Sequence, residues 1–494
     1  MEAYDKITQQ ANETMKILFV ASEVAPFAQT GGLADVMGAL PKFLVQKGID
    51  ARVILPLYRC VREKFGPELQ FVRWSMIRMG WRSLYSGLFR LERDGVTYYF
   101  IDNEYYFGHE EIYKDYAFDI ERFCFFQRAV LEVIGLPMDF SPDILHCNDW
   151  QTGLIPCLID AHYRPYGYLE KLKTVFTIHN LRYQGIHGLE RIADFCDLPN
   201  SYLTEYGVLK DGVPNMMKAG IVYADEVTTV SPSYAQEIFN DYYGEGLEGV
   251  LRSFSHKIHG ILNGIDVEHY NPETDPELPQ NYSVKTAKSG KAACKEAVQR
   301  ELGFDVSKRP LLSMITRLVE QKGLDLFLHI AEELMSQDIQ MVVLGTGEYH
   351  YEEALRRLEA RYPDRFRACI FFDRALSNRL YAASDLFLMP SLFEPCGLSQ
   401  MIAMRYGSIP IVRETGGLRD SVIPYNQYTG EGTGFSFANI NAHELLFTTN
   451  RALEIYRSED PKIWEHLVQT AMSEDFSWTR SAEAYIQRYH DLIG

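Results

Sequence analysis

The chain has 494 residues, 46% of them hydrophobic, more apolar material than one ordinary core takes, so two or three domains are expected. Lys and Arg number 49 against 67 Asp and Glu, a formal charge of -18, which argues against a broad nucleic-acid or anionic-membrane surface and leaves room for a local phosphate pocket. No apolar run reaches the roughly 18 residues that span a bilayer, residues 1–16 carry no hydrophobic signal core, and the eight cysteines lack metal-type or disulfide-framework spacing; a cytoplasmic protein with reduced thiols is expected.

In chain order, Lys16 to Ala21 reads as a first strand. A Gly-containing loop follows, then Leu33, Val36, Met37, Leu40 and Leu44 at helical spacing, then a second strand at Arg52 to Pro56. Short apolar runs at Thr97 to Ile101, Asp143 to Cys147, Thr174 to His179 and Glu226 to Val230 continue the alternation to about residue 258. The pattern predicts a parallel sheet covered by helices. Asn271 to Gly290 is polar and weakly periodic and reads as a surface excursion. Further strands are expected at Leu311 to Thr316, Gln340 to Leu344, Ala368 to Phe372, Leu386 to Met389 and Ile409 to Val412. The fold class is therefore α/β with two doubly wound domains, and Phe476 to Gly494 reads as a helix that periodicity alone assigns to neither.

Ligands of such sheets sit beyond the carboxyl ends of the strands, so chemistry is sought in the loops directly after strands. In "APFAQTGGLADVMGAL" Gly31 and Gly32 precede a helix, where a backbone without Cβ can approach a ligand and free amides can point at phosphate. A tight turn explains a lone Gly-Gly equally well, and Asp35 suits the helix dipole. "HCNDWQTGL" places Asp149 after one strand, with helix capping as its plain role. "FTIHNLRYQG" places His179 and Asn180 after another, with a structural imidazole as the plain role. Three polar strand ends in one half-chain favour a cleft.

In the second half, "SMITRLVEQKGLDL" offers Arg317 and Lys322, a fork and a point charge that suit a diphosphate, unless both are simply exposed loop charges. "GTGE" from Gly345 lacks the third glycine of a dinucleotide fingerprint. "SLFEPCGLSQM" sets Glu394 on a strand-to-helix loop, where its carboxylate can bind sugar hydroxyls while the amides of Gly397, Leu398 and Ser399 take a phosphate. "RETGGLRDSV" repeats the strand, Gly-Gly, helix device at Thr415 and Gly416. Cys396 reads as a small packing residue lining this site, with a reactive thiol as the sharper alternative.

Together, "TGGLADV", "NDWQTGL", "TIHNLRYQG", "TVSPSYAQEI", "GILNGID", "EQKGLDL", "FEPCGLSQM" and "TGGLRDSV" resemble, in family order and over nearly the whole chain, the bacterial glycogen and starch synthases. These are retaining glucosyltransferases that move glucose from ADP-glucose to an α-1,4-glucan. The resemblance implies two Rossmann-like domains facing a cleft (GT-B architecture), with boundaries near 1–259 and 260–476 and helix 477–494 returning to the first. It implies that Asp149 and His179 line the glucosyl site, that Asn263 reaches across it, and that Arg317 and Lys322 hold the diphosphate. Glu394 would orient the donor glucose, Phe372 would stack on the adenine, and amides near Leu398 and Ser399 would receive phosphate. No cofactor, metal ion or nucleic-acid partner is implied, and configuration is retained without an evident carboxylate nucleophile, so same-face attack assisted by the leaving phosphate is the expected course.

The chain departs from the family's pattern at Gln29, where Lys is common, and at Gln151, Asn378 and Leu392, where His, His and Arg are frequent. Wider relatives carry a second acid where this chain has Ile402. Gln29 adds no charge near the donor phosphate, so weaker or altered nucleotide-sugar binding is predicted. Two rivals stand beside the ADP-glucose reading: a UDP-glucose-dependent enzyme of the same architecture, since Phe372 stacks on either base, and a weakly active glucan-binding or priming paralogue.

Overall fold

The most apolar runs of the chain become strands buried on both faces, as in Leu311–Ile315 and Gln340–Leu344, and such strands pair in parallel beneath helices. The computed structural model describes residues 14–135 and 140–494, so most of the first 16 residues, read above for a signal core, lie outside the described residues. Two compact units divide the chain: one runs to Val230 and adds Ala235–Ile261 and Trp478–Gly494, the other holds Ser231–Tyr234 and Leu262–Ser477.

In chain order the first unit contributes β1 (Lys16–Val20), β2 (Asp50–Pro56), β3 (Gln70–Met79), β4 (Arg82–Arg93), β5 (Val96–Asp102), β6 (Ile144–Asn148) and β7 (Lys173–Ile178). A short ribbon, β8 (Leu209–Lys210) and β9 (Val213–Pro214), precedes β10 (Glu226–Thr229) and β11 (Ile258–Gly260). The nine-stranded sheet has the order β11-β10-β7-β6-β1-β2-β5-β4-β3. It is parallel from β11 to β5, but β4 and β3 are added antiparallel, which corrects the expectation of a purely parallel sheet. Those two strands alternate exposed and covered residues, with Trp74 and Met76 exposed and Ile77 and Met79 buried, so they lack the continuous apolar run that marks a central parallel strand.

The second unit holds a fully parallel six-stranded sheet, β14-β13-β12-β15-β16-β17. Its strands are β12 (Leu311–Ile315), β13 (Gln340–Leu344), β14 (Phe366–Cys369), β15 (Leu386–Met389), β16 (Ile409–Arg413) and β17 (Phe435–Phe437). β14 is displaced from the predicted Ala368 to Phe372: the strand ends at Cys369, and Phe371 and Phe372 stand on the following loop, exposed at 47% and 85%. An apolar run need not be buried, and here half of it is solvent-facing.

More than half of residues 271–290 is exposed, as their polarity suggests, but buried side chains pin the segment to the fold. Asp275 is buried and accepts hydrogen bonds from Asn378 Nδ2 (3.0 Å) and Tyr406 Oη (2.6 Å), while Tyr282 Oη donates to the Tyr406 carbonyl at 2.7 Å. A buried carboxylate with two donors is an anchor. The partner it needs also explains Asn378.

The last helix, Trp478–Ile493, belongs to the first unit. Buried His146 on β6 is bracketed by Tyr489 Oη at 2.7 Å and Thr177 Oγ1 at 2.5 Å, and the Arg488 guanidinium grips Glu226 with two contacts of 2.8 Å. A bidentate pair of this kind fixes orientation as well as position.

Candidate active site

In the first unit three strand ends converge. β6 and β7 are neighbours, with Asn148 opposite Thr177, so the loop after β6 (Asp149) meets the loop after β7 (His179, Asn180). Asp149 Oδ1 accepts from the backbone amides of His179 at 2.8 Å and Asn180 at 3.4 Å. Its backbone sits at φ 55°, which is unusual for a residue with a Cβ and marks a position held by its surroundings. Burial pushes the Asp149 carboxyl up to about 7, opposed by the two amides and assisted by Glu23. Burial likewise drives His179 down to about 3, so the imidazole is neutral at physiological pH.

Glu23, at the end of β1, is a buried acid that the sequence reading passed over. It accepts from Thr30 N (2.5 Å), Thr30 Oγ1 (2.7 Å), Gly31 N (3.1 Å) and Tyr113 Oη (2.6 Å). The Gly31 amide is therefore spent on Glu23 and is not the free donor expected. The helix Gly32–Gln46 nonetheless starts without a side-chain cap, and a Cβ at Gly31 or Gly32 would meet nothing within 4 Å, so there is open space at this end for a ligand. Gln29 Nε2 donates to Asp35 Oδ1 at 2.8 Å, which gives Asp35 a partner beyond the helix dipole. Gln151 Nε2 donates to Tyr113 Oη at 3.3 Å, tying the Asp149 loop to the Glu23 loop.

In the second unit the carboxyl ends of adjacent β12 and β15 carry the charged pair. Lys322 Nζ lies 2.6 Å from Glu394 Oε2, which also accepts from Ser391 Oγ at 3.0 Å. The loop bearing Glu394 is clamped from behind by Arg413, whose Nε donates to the Ser391 carbonyl at 3.0 Å and whose Nη2 donates to the Leu392 carbonyl. Gln321 Nε2 holds the Phe393 carbonyl at 3.2 Å. The Arg317 side chain is exposed and has no ion-pair or hydrogen-bond partner among the described residues, which leaves its guanidinium available to an anion. The helix Ser399–Arg405 begins at Leu398 without a side-chain cap, so its first amides are open in the same way.

Thr415 and Gly416 are buried behind this loop. Gly416 has φ 44°, and a Cβ there would stand 2.0 Å from the Glu394 carbonyl oxygen, so only glycine lets the two loops pack. The Gly417 amide donates to that same carbonyl at 3.1 Å. Cys396 is buried with its thiol pushed up to about 12 by burial, which removes the reactive-thiol alternative. Asn263 lies against Cys396, and its own Oδ1 is buried with no partner among the described residues. Phe372 offers an exposed ring on the loop after β14. Ile402 is packed in the core. Among the described residues no group of three or more His, Cys, Asp or Glu is arranged to hold a metal ion.

Residues 16–253 match the starch synthase catalytic domain and residues 296–465 match glycosyl transferases group 1. The glycogen synthase of Exiguobacterium sibiricum is 49% identical over 477 residues, 96% of this chain and 98% of that one. The chain belongs to the glycogen synthase family of glycosyltransferases. The glycogen synthase of Geobacillus stearothermophilus is 50% identical over 97% of this chain and 98% of its own length. Among solved structures, the catalytic domain of starch synthase IV from Arabidopsis thaliana, bound to ADP and acarbose, aligns with a TM-score of 0.90 and 36% identity over 97% of this chain and 100% of that one.

Membership of the glycogen synthase family fits two Rossmann-like α/β units with polar groups at their strand ends. Sequence reasoning selected Asp149 and His179 in one unit and Lys322 and Glu394 in the other, and the structure pairs the members of each set. It passed over Glu23, Tyr113, Asn148 and Arg413. Glu23 stands on the loop after β1, Asn148 ends β6 within a quoted motif, and Arg413 ends β16 and opens another, so position at a strand end was a signal for all three; Tyr113 carries none.

Proposed function

We propose that this enzyme transfers glucose from ADP-glucose to the non-reducing end of an α-1,4-glucan with retention of configuration, in the cytoplasm. The observation that carries the reading is the Lys322–Glu394 pair, with exposed Arg317 on the same loop after β12 as Lys322 and the uncapped start of the Ser399–Arg405 helix on the loop after Glu394: cations and open amides for a diphosphate and a fixed carboxylate for sugar hydroxyls. Arg317 and Lys322 neutralise the departing diphosphate, and the amides at Leu398 and Ser399, beside Gly397, hold its oxygens. Glu394 orients the hexose, Phe372 stacks on the base, and Thr415 and Gly416 seat the Glu394 loop. In the first unit Asp149, His179 and Asn180 offer polar groups to a glucosyl unit and the Gly32 turn with Gln29 offers them to a phosphate; in the second, Asn263 offers one to the sugar.

The acceptor hydroxyl oxygen forms a bond to the anomeric carbon on the face from which ADP departs. The carbon–oxygen bond to the β-phosphate breaks, its electron pair goes to the phosphate, and the acceptor's proton passes to that phosphate oxygen. Positive charge on the ring is transient and negative charge builds on ADP, which is the charge the cations and amides oppose.

Transfer of labelled glucose from ADP-glucose and from UDP-glucose onto glycogen tests the reading. Faster transfer from ADP-glucose with release of ADP is expected. Preference for UDP-glucose overturns the donor assignment, and binding of glycogen without transfer from either donor overturns the enzyme assignment.

A further inference from the structure

Asn148 is the last residue of β6, and its surroundings dictate which way its amide points. Nδ2 lies 3.1 Å from the Val20 carbonyl oxygen and 3.3 Å from the His146 carbonyl oxygen. Carbonyl oxygens only accept, so the amide NH2 group must face them and Oδ1 must face the other way. Oδ1 stands 2.8 Å from Nε2 of His179. An amide oxygen cannot donate, so Nε2 carries the proton. A neutral imidazole has one N–H, which leaves Nδ1 a bare acceptor.

The rest of the geometry supports an imidazole held for use. The backbone amide of His179 donates to Asp149 Oδ1 at 2.8 Å, so residue and ring are fixed from two adjacent positions, Asn148 and Asp149. His179 Nδ1 has no hydrogen-bond partner among the described residues. Burial depresses the ring's protonation to about 3, which keeps it neutral where the enzyme works.

We propose that Asn148 is a positioning residue that locks His179 in its Nε2–H tautomer, so that Nδ1 accepts a hydrogen bond from a hydroxyl of the donor hexose. The second half rests on the glucosyl-site reading of His179 given above; the tautomer does not. The sequence of causes is two backbone carbonyls, one amide orientation, one tautomer and one acceptor. Without Asn148 the two neutral tautomers compete, and the Nδ1–H form, like an imidazolium, can only donate to the hydroxyl, which reverses the bond and leaves the hydroxyl proton without this acceptor.

The test uses the full-length chain labelled with 15N at its 13 histidines, with the His179 signals assigned by their loss in His179→Gln. At pH 7.5 the wild type is expected to show a protonated Nε2 and an unprotonated Nδ1. A protonated Nδ1, alone or with Nε2, overturns the proposal whatever the activity. In Asn148→Ala the signals are expected to move toward a mixture of tautomers, and kcat/KM for ADP-glucose to fall roughly tenfold, the weight of one hydrogen bond. KM for glycogen should be unchanged. If Asn148→Ala does not fold, Asn148→Ser serves, because its short hydroxyl does not reproduce the amide's fixed acceptor. A folded variant with an unshifted tautomer, or with a shifted tautomer and wild-type turnover, also overturns the proposal. Failure of transfer in the wild type itself, with the Nε2–H tautomer present, removes the sugar-site reading and with it the second half of the proposal.

Discussion

Lys322 Nζ lies 2.6 Å from Glu394 Oε2, and the two side chains are only 14% and 9% exposed. Each comes from the carboxyl end of a strand, β12 and β15, that are neighbours in the second sheet. A covered pair of opposite charge is costly to break from one side, because the partner keeps its charge and loses its counter-ion.

Glu394→Gln retains an oxygen for the Ser391 hydroxyl and removes the charge beside Lys322. Transfer is expected to fall by on the order of 100-fold, the scale of losing one well-placed electrostatic contact. The melting temperature should fall by less than about 5 °C, since the loop stays clamped by Arg413 and Gln321. A transfer assay beside a thermal melt checks this, and a stability loss that accounts for all the lost activity would contradict it.

Gln29 donates to Asp35 at 2.8 Å in an exposed setting. A lysine introduced there meets the same carboxylate, and an exposed ion pair of roughly 0.2–1 kcal/mol holds it in place. Gln29→Lys alone is therefore expected to raise kcat/KM for ADP-glucose less than about fivefold, since a lysine held this way adds little toward the donor. The double variant Gln29→Lys, Asp35→Asn should rise further. Equal gains in the single and double variants would show that Asp35 does not restrain the new charge.

Asp149 has its carboxyl raised to about 7 by burial, well above its ordinary range. The folded state therefore holds this proton more tightly than the unfolded chain does. Its contribution is fully present below the ordinary carboxyl value of 3.8, drains away as the pH rises from there to about 7, and is gone above it. Asp149→Asn keeps an acceptor oxygen for the His179 and Asn180 amides but cannot ionise. The variant is expected to melt higher than wild type at pH 8.5 and to differ less at pH 5.5, while transfer is lost. A stability difference that grows toward acid pH refutes the raised carboxyl.

The Cys396 thiol is pushed up to about 12 by burial beside Glu394. Alkylation of the folded protein at pH 8 should leave Cys396 unmodified while the partly exposed Cys60 reacts slowly. Peptide mass spectrometry reads both sites, and modification of Cys396 ahead of Cys60 would show the burial to be wrong.

What the sequence determined is what a local pattern can encode. Leu311–Ile315, Gln340–Leu344 and Leu386–Met389 are legible because a central parallel strand is buried on both faces and must be apolar throughout. Once strands alternate with helices, the loops after them are where ligands of such sheets are held, and that position singles out Asp149, His179, Lys322 and Glu394 in the sequence. The tertiary structure decided everything that depends on which distant segments meet. Asn148 and His179 are 31 residues apart and touch only because β6 and β7 are adjacent in one register. Asp275 lies in a polar stretch but is buried by Asn378 and Tyr406, more than 100 residues away. Phe372 is apolar in sequence and exposed in space because, among the described residues, no element covers the loop after β14. Composition and period constrain each element separately; burial, hydrogen-bond pairing and protonation belong to pairs of elements, and only the assembled fold specifies those pairs.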